Sequence, residues 1–211
     1  MSTAREEILR RIRSAVGGSP DRVEYGQIRR AYQRVGTLAR EACLELLKDR
    51  LLDYDAEIFE VAGEAEIAGA VEEALRRAGE RNVLVAESFP QAWLPGGVEV
   101  VVDAALATEQ MDGLGTVLTT CESAVASTGT IVLVHEGAQG RRAITLLPDH
   151  HICVLARGQV VETVAEALAA VSAQRRAAMT TISGPSATSD IEMTRIRGVH
   201  GPRRLSVVLY G

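Results

Sequence analysis

The stretch AEIFEVAGEAEIAGAVEEALRRAGERNVLVAE, residues 56–87, decides the fold. It opens with a short apolar run, continues with apolar residues at helical spacing as far as Gly79, and ends with a second apolar run, NVLVAE. Both runs are nearly continuous in apolar character, as in strands that helices cover on both faces of a parallel sheet. The stretch therefore predicts a βαβ unit.

Similar apolar runs follow along the chain and extend this pattern. Further strands are predicted at VEVVVDA, GTVLTTC, GTIVLVHE, HHICVLA, TTIS and LSVVLYG, and one long helix is predicted over residues 160–179. The fold class is therefore α/β, with an open, Rossmann-like, mostly parallel sheet, helices on both faces, and mixed strand direction near the later edge. We expect a helical segment over residues 1–52 and an α/β domain over residues 53–211.

The N-terminal segment carries signals for two helices. Thr3 and Glu6 have capping-box spacing, and the apolar residues that follow share one helical face up to the Gly17-Gly18 joint. A second helix is predicted from Thr37 to Leu51. Because the joint is loose, we expect the apolar face of the first helix to cover a neighbouring chain or a partner protein, which leaves a homo-oligomer open.

Composition limits the classes of function. The net charge of −5 offers no broad positive field, which argues against nucleic acid as a partner. No apolar run is long enough for a membrane span or a signal sequence, so a cytoplasmic protein is expected. Cys43, Cys121 and Cys153 lack the close spacing of zinc or iron–sulfur ligands. No cofactor is predicted in this chain, and the cysteines are interpreted as small core residues.

Two loops have the composition of a binding site. They are TTCESAVASTGT, residues 119–130, and SGPSATSDIEMTRIRGVHGPRR, residues 183–204. In the second loop Gly184 and Pro185 predict a turn, and Ser186 and Thr188 are placed to cap a helix near Asp190. The N–H groups of such a turn would attract phosphate or carboxylate oxygens. The alternative is that the hydroxyls only cap the helix.

Ligands of open α/β sheets bind beyond the carboxyl ends of the strands, where we expect the two loops to meet. Asp190, Glu192 and His200 in the second loop are candidate acids and bases, while a surface ion-pair network explains the same charges equally well. The adjacent His150 and His151 point to opposite faces of a strand and are predicted to be a structural pair. GAQGRR is predicted to be an ordinary polar turn.

The ordered set CESAVASTGTIVLVHE, LLPDHHICVL, SGPSATSDIE and GVHGPRRLSVVL resembles the lactate-utilisation C, or LUD domain, family, over residues 103–211. The resemblance implies an α/β fold similar to the sugar-phosphate isomerase and coenzyme A transferase superfamily. It also implies a role in oxidising L-lactate to pyruvate, together with two partner proteins that carry cysteine-rich and iron–sulfur domains. Iron–sulfur clusters are then expected in those partners.

The resemblance assigns candidate site residues. The ligand-binding candidates are Thr128, Gly129, Thr130, Ser183, Gly184, Ser186, Thr188, Ser189, Gly198 and Gly201. The catalytic candidates are Asp190, Glu192, His200 and Glu122. Many members of the family have an acidic residue directly before the TGT turn, where this chain has Ser127. If that acid is catalytic, Glu122 or Asp190 would have to replace it.

Three hypotheses for the function follow. The preferred one is an accessory subunit of an L-lactate oxidation system that binds a small anion and does not catalyse the oxidation alone. The second is a free-standing isomerase or transferase that acts on a phosphorylated sugar or a coenzyme A ester. The third is a structural or regulatory binding module, in which the hydroxyls around Ser186 are satisfied within the protein.

Overall fold

The computed structural model describes residues 3–17, 24–171, 177–188, 196–197 and 201–211. The chain forms two compact units, residues 1–32 and 33–211. In the first unit, helix α1 (Ala4–Val16) begins at the predicted capping box, where the Thr3 hydroxyl and the Glu6 carboxylate each accept a hydrogen bond from the other residue's backbone N–H. None of the side chains of α1 is buried, so its apolar face stays exposed.

The boundary between the units lies twenty residues before the predicted one at residue 52. The segment after Tyr32 is fastened to the larger unit by two carboxylates: Glu166 accepts from Gly36 N at 3.0 Å, and Glu162 accepts from Leu38 N at 2.6 Å. Residue 52 falls inside helix α2 (Arg40–Asp53), whose apolar side chains are buried with those of the sheet. Packing of α2 therefore joins it to the α/β unit.

The main sheet has six strands, all parallel to their neighbours. In chain order they are β1 (Glu57–Val61), β2 (Asn82–Ala86), β3 (Glu99–Asp103), β4 (Thr116–Thr120), β7 (His150–Ala156) and β12 (Arg204–Tyr210). Their spatial order is β1-β12-β7-β4-β2-β3. The predicted open α/β sheet is confirmed, and the last strand of the chain lies inside it.

The antiparallel strands form separate sheets, so the expectation of mixed direction at one edge of the main sheet is wrong. A four-stranded sheet, here called the antiparallel sheet, has the order β8-β5-β6-β9, in which β8 is parallel to β5 and the other neighbours are antiparallel. A second antiparallel pair joins β10 to β11. Their bounds are β5 (Ser123–Val125), β6 (Thr130–Val134), β8 (Val160–Val161), β9 (Met179–Ile182), β10 (Ala187–Thr188) and β11 (Ile196–Arg197). Only four residues connect β5 to β6, which is too short for a parallel crossover.

The remaining α-helices are α3 (Ile67–Ala78), α4 (Thr108–Met111) and α5 (Val164–Val171). Short 3-10 helices lie at Tyr25–Gln27, Glu64–Glu66, Gln91–Trp93, Ala126–Thr128, Gly137–Gln139, Arg142–Thr145 and Arg157–Gln159. The helix predicted over residues 160–179 is shorter at both ends, because residues 160 and 161 pair with β5 as a strand and Met179 begins β9. Residues 172–176 lie outside the described part of the chain.

The two faces of the main sheet pack against different layers. On one face, Ile152 and Val154 of β7 pack in a cluster with Val71 and Leu75 of α3. On the other, Cys153 and Leu155 pack with α2 and with the antiparallel sheet. Alternation along β7 therefore sends His150 to the α3 face and His151 to the α2 face. All three cysteines are free and buried in the second cluster, as predicted.

Candidate anion-binding pocket

A cavity of about 270 Å³, here called the strand-start pocket, lies at the amino ends of β7 and β12. Its lining residues are Arg142, Thr145, His151, Thr180, Thr181, Ile182, Ser183, Gly184, Pro185, Ser186, Gly201, Pro202, Arg204 and Leu205. The position is opposite to the expected one at the carboxyl ends of the strands. The reason is topological: Gly201 and Pro202 lead directly into β12, so the loop that carries the polar groups arrives at the start of that strand.

His151 lies on the floor of the pocket. It is 1% exposed, and its Nε2 is 2.8 Å from the Thr119 hydroxyl. Burial, with smaller contributions from His150 and the positive charge of Arg142, lowers the pKa of His151 to about 3. The ring is therefore neutral at physiological pH. It therefore lines the pocket without adding a charge to it.

Arg142 brings a positive charge to the pocket. Its Nη1 donates to the Thr145 hydroxyl at 3.0 Å, and that hydroxyl donates to the Arg142 carbonyl, also at 3.0 Å. Thr145 is 2% exposed, so the contact fixes the guanidinium from a buried position. Among the described residues no carboxylate lies within 4 Å of Arg142, and burial lowers its pKa. A half-buried guanidinium without a carboxylate partner favours an anionic ligand.

Arg204 also lines the pocket, but its charge is compensated. Its Nη2 lies 3.2 Å from Glu80 Oε1 and 3.4 Å from the Ala78 carbonyl at the end of α3. The pocket is thus lined by two guanidinium groups. Among the described residues, Glu80 neutralises that of Arg204, and no carboxylate neutralises that of Arg142. This arrangement suits a ligand with a single negative charge better than a dianion.

Thr180 connects the pocket to a half-buried histidine, His135. Its hydroxyl is 2.6 Å from His135 Nε2, while His135 Nδ1 is 3.2 Å from the Gly140 carbonyl. Burial lowers the pKa of His135, so the neutral ring donates from Nδ1 to the carbonyl and accepts from Thr180 at Nε2. The Thr180 oxygen therefore keeps its lone pairs for a donor in the pocket.

Residues 183–186 form the pocket wall predicted from the GPSATSDIE motif. Ser186 N donates to the Pro202 carbonyl at 2.7 Å, which joins this wall to the GVHGP turn. Gly184 has a φ of +79°, and a Cβ atom there would lie 2.5 Å from Tyr54 Cβ. A larger residue at Gly184 would therefore collide with Tyr54.

The TGT turn meets this wall but does not line the cavity. Thr130 Oγ1 lies 2.7 Å from Thr128 Oγ1 and 2.8 Å from Ser183 Oγ. Gly129 has a φ of +59°, and a Cβ atom there would lie 2.7 Å from Arg50 Cβ. The structure thus brings the two predicted loops together. The TGT turn supports Ser183 and packs against α2, and of the two loops only the second, through residues 183–186, 201, 202 and 204, lines the cavity.

The other predicted site residues lie elsewhere. Glu122 does not line the pocket, and its Oε2 accepts a 3.5 Å hydrogen bond from Gln139 Nε2. Gly201 lines it beside Ser186. The remaining candidates, Ser189, Asp190, Glu192, Gly198 and His200, lie outside the described residues, as does the helix predicted near Asp190. Thr188 belongs to the short strand β10.

Sequence reasoning missed the groups that give the pocket its chemistry. Arg142 and Thr145 lie in and just after GAQGRR, which we interpreted as a polar turn, and His151 belongs to a pair interpreted as structural. No local pattern marks them, because the cavity that they line is completed by residues within 180–186 and 201–205, which are distant in sequence. The described residues contain no cluster of three or more His, Cys, Asp or Glu side chains that could hold a metal ion. They also contain no helix with the length and apolar character needed to cross a bilayer.

The comparison with protein families identifies the family of this chain. Residues 4–210 match the LUD domain, which is nearly the whole chain. The chain belongs to the LUD domain family. A relative from Deinococcus radiodurans, named Lactate utilization protein C, is 42% identical over 212 residues, covering 99% of this chain and 96% of that protein. Lactate utilization protein C 1 from Bacillus mycoides is 32% identical over 98 residues, 44% of this chain and 42% of that protein.

A solved LUD-like structure supports the architecture. The crystal structure of a DUF162 family protein from Deinococcus radiodurans superimposes with a TM-score of 0.72 at 41% identity. The match covers 83% of this chain and all of that chain. The two proteins therefore share the α/β fold.

Proposed function

We propose that this chain acts in lactate utilisation as an accessory subunit, and that it binds a small anion in the strand-start pocket. The support for the pathway is the family and the name that its relatives carry. The observation that supports anion binding is Arg142, a half-buried guanidinium that is oriented by Thr145 and has no carboxylate partner among the described residues. A carboxylate in the pocket would satisfy it with charge-assisted hydrogen bonds.

In this proposal, electron transfer belongs to partner proteins that carry cysteine-rich and iron–sulfur domains. The three cysteines of this chain are widely separated in sequence and buried in the core, where their thiols pack as apolar groups. The subunit positions or senses the organic anion while the partners accept electrons. Co-purification of the tagged full chain from lactate-grown cells should recover an iron–sulfur protein, and its absence would contradict the accessory role.

One observation favours the alternative, an isomerase-like or transferase-like enzyme for a phosphorylated sugar or a coenzyme A ester. Arg204 is a second guanidinium in the same pocket, and two guanidinium groups suit a phosphate. Its ion pair with Glu80 reduces the strength of this argument. Inorganic phosphate that binds more tightly than L-lactate would favour the alternative.

The anion site is tested by calorimetric titration of the wild type and of Arg142→Gln with L-lactate, pyruvate and inorganic phosphate. Hydrogen bonds to charged groups contribute about 1.5–3 kcal/mol, so Arg142→Gln should weaken binding of the carboxylates roughly 10- to 100-fold. Arg81→Gln, at an exposed arginine outside the pocket, is the matched control and should bind as the wild type does. Equal binding by the wild type and Arg142→Gln would remove the pocket from the proposal.

A further inference from the structure

We infer that His151 determines the specificity of the strand-start pocket, and that the ligand is a short monocarboxylate with an oxygen on the adjacent carbon. Arg142 binds the carboxylate and the ring Nδ1 of His151 binds the second oxygen. The inference rests on the proposed anion site and adds the chemical class of its ligand. Both 2-hydroxy and 2-oxo acids belong to this class.

The first support is the position of the imidazole nitrogens. Nε2 of His151 is engaged by Thr119, and Nδ1 has no hydrogen-bond partner among the described residues. His150 offers a direct comparison. Its Nδ1 has no hydrogen-bond partner and is fully buried, whereas Nδ1 of His151 is not fully buried. Since His151 also lines the cavity, its Nδ1 is the nitrogen that faces a ligand.

The second support is that Arg142 and His151 line the same cavity. In agreement with this arrangement, the positive charge of Arg142 contributes to lowering the pKa of His151. In a 2-hydroxy or 2-oxo acid, the carboxylate and the second oxygen are on neighbouring carbons. One such molecule can contact both side chains at once, while an unsubstituted carboxylate leaves Nδ1 without a partner.

The third support is the neutrality of the ring. A neutral imidazole has one donor and one acceptor nitrogen, and the rotatable Thr119 hydroxyl can serve either tautomer. Nδ1 can therefore accept from a hydroxyl group or donate to a keto oxygen. Because His151 adds no charge, Arg142 is the uncompensated cation among the lining residues that the structure describes, which favours a monoanion.

The apolar lining residues account for the rest of the ligand. Ile182, Pro185, Pro202 and Leu205 contribute to the walls of the cavity. A short alkyl group attached to the substituted carbon would be removed from water against these side chains. The volume of about 270 Å³ accommodates a three- to five-carbon acid together with ordered water.

The test compares L-lactate and pyruvate with propionate, which has the same carbon chain and no second oxygen, by calorimetric titration of the full chain. A neutral hydrogen bond contributes about 0.5–1.5 kcal/mol, so the wild type should prefer lactate and pyruvate over propionate roughly three- to tenfold. Equal affinities of the wild type for the three acids would overturn the inference while leaving the anion site intact. Failure of all three to bind would overturn both.

Two variants locate the preference at Nδ1. The amide of His151→Gln occupies the position of Nε2 and removes the group at Nδ1, so the preference over propionate should fall to about one. The amide of His151→Asn occupies the position of Nδ1 and should keep most of the preference. His150→Gln, on the opposite face of the sheet, is the control and should bind as the wild type does.

The variants are first compared by circular dichroism, and the wild-type preference stands as a test even if one of them fails to fold. A preference that survives in a folded His151→Gln would overturn the assignment to His151. Loss of the preference in His151→Gln, together with retention in His151→Asn, is the result expected from the geometry.

Discussion

His150 and His151 are adjacent in sequence and nearly equal in burial, yet the two sides of the main sheet use them differently. On the α3 side, His150 Nε2 lies 2.8 Å from the Ser206 hydroxyl, and its Nδ1 is sealed in the protein. On the α2 side, His151 makes the equivalent contact with Thr119, and its ring opens onto the strand-start pocket. Burial therefore explains the neutrality of both rings, and access to a cavity separates their roles.

A lowered pKa does not by itself distinguish the two buried histidines. Burial lowers the pKa of His150 to about 4 and that of His151 to about 3. A low pKa alone would mark both residues as functional candidates. The geometry of the second ring nitrogen distinguishes them, because only a nitrogen that reaches the cavity can contact a ligand.

The largest expected effect is the pH dependence of the unfolding free energy, to which both histidines contribute. Near pH 6.5 the unfolded chain takes up a proton on each imidazole, while the folded protein resists protonation of both until about pH 4 or below. The unfolding free energy therefore decreases as the pH falls, by about 2 kcal/mol per histidine between pH 7 and pH 5. Urea denaturation at a series of pH values measures it. Replacement of either histidine by Gln should remove about half of this pH dependence.

The next effect is a loss of stability when Gly184, in the wall of the strand-start pocket, is replaced. Gly184→Val places a branched side chain against Tyr54 at a φ of +79°, which combines overpacking with backbone strain. We expect a loss of about 3 kcal/mol in the unfolding free energy. Gly96→Val is the matched control, since a Cβ atom there meets nothing within 4 Å. Similar midpoints for the two variants would show that the wall yields to Tyr54 at little cost.

The smallest effect comes from removing the hydroxyl partner of each histidine, and it distinguishes His150 from His151 most directly. Ser206→Ala and Thr119→Val each remove the hydroxyl partner of one buried histidine and should each lower the unfolding free energy by about 1–2 kcal/mol. Only Thr119→Val should also weaken binding of L-lactate, roughly two- to fivefold, because it releases the ring of His151. A matching loss of affinity in Ser206→Ala would mean that the two sides are coupled.

The elements of the fold were largely predictable because each has a local signal. The capping box at Thr3, the helical spacing that ends at Gly79 and the nearly continuous apolar runs of β2, β4 and β7 correspond to observed elements. The strand at residues 160–161 was not predictable, since its two valines form a strand by pairing with β5, which lies 36 residues earlier in the sequence. Apolar residues before a helical pattern are also typical of a helix start.

The candidate site was predictable in part. The turn and hydroxyl composition of SGPS correctly marked a cavity wall, and the meeting of Ser183 with the TGT turn agrees with the family resemblance. The strand-start pocket lies at the other end of the sheet from the expected position, because the rule for carboxyl ends assumes loops that follow strands, whereas this wall precedes β12. Arg142 was missed because an arginine in a turn is usually solvated, and nothing in its neighbours indicates a missing carboxylate partner.

The sequence by itself determined the α/β class, the positions of most strands and helices, the burial of the three cysteines and the segments that carry turn-forming and hydroxyl residues. These depend on backbone preferences and apolar periodicity, which act over a few residues. The tertiary structure alone decided that β12 pairs between β1 and β7, and so that Arg204 and Leu205 lie beside His150 and His151. Strand order depends on the packing of whole layers, and therefore only the folded chain could determine which of two neighbouring histidines faces a cavity.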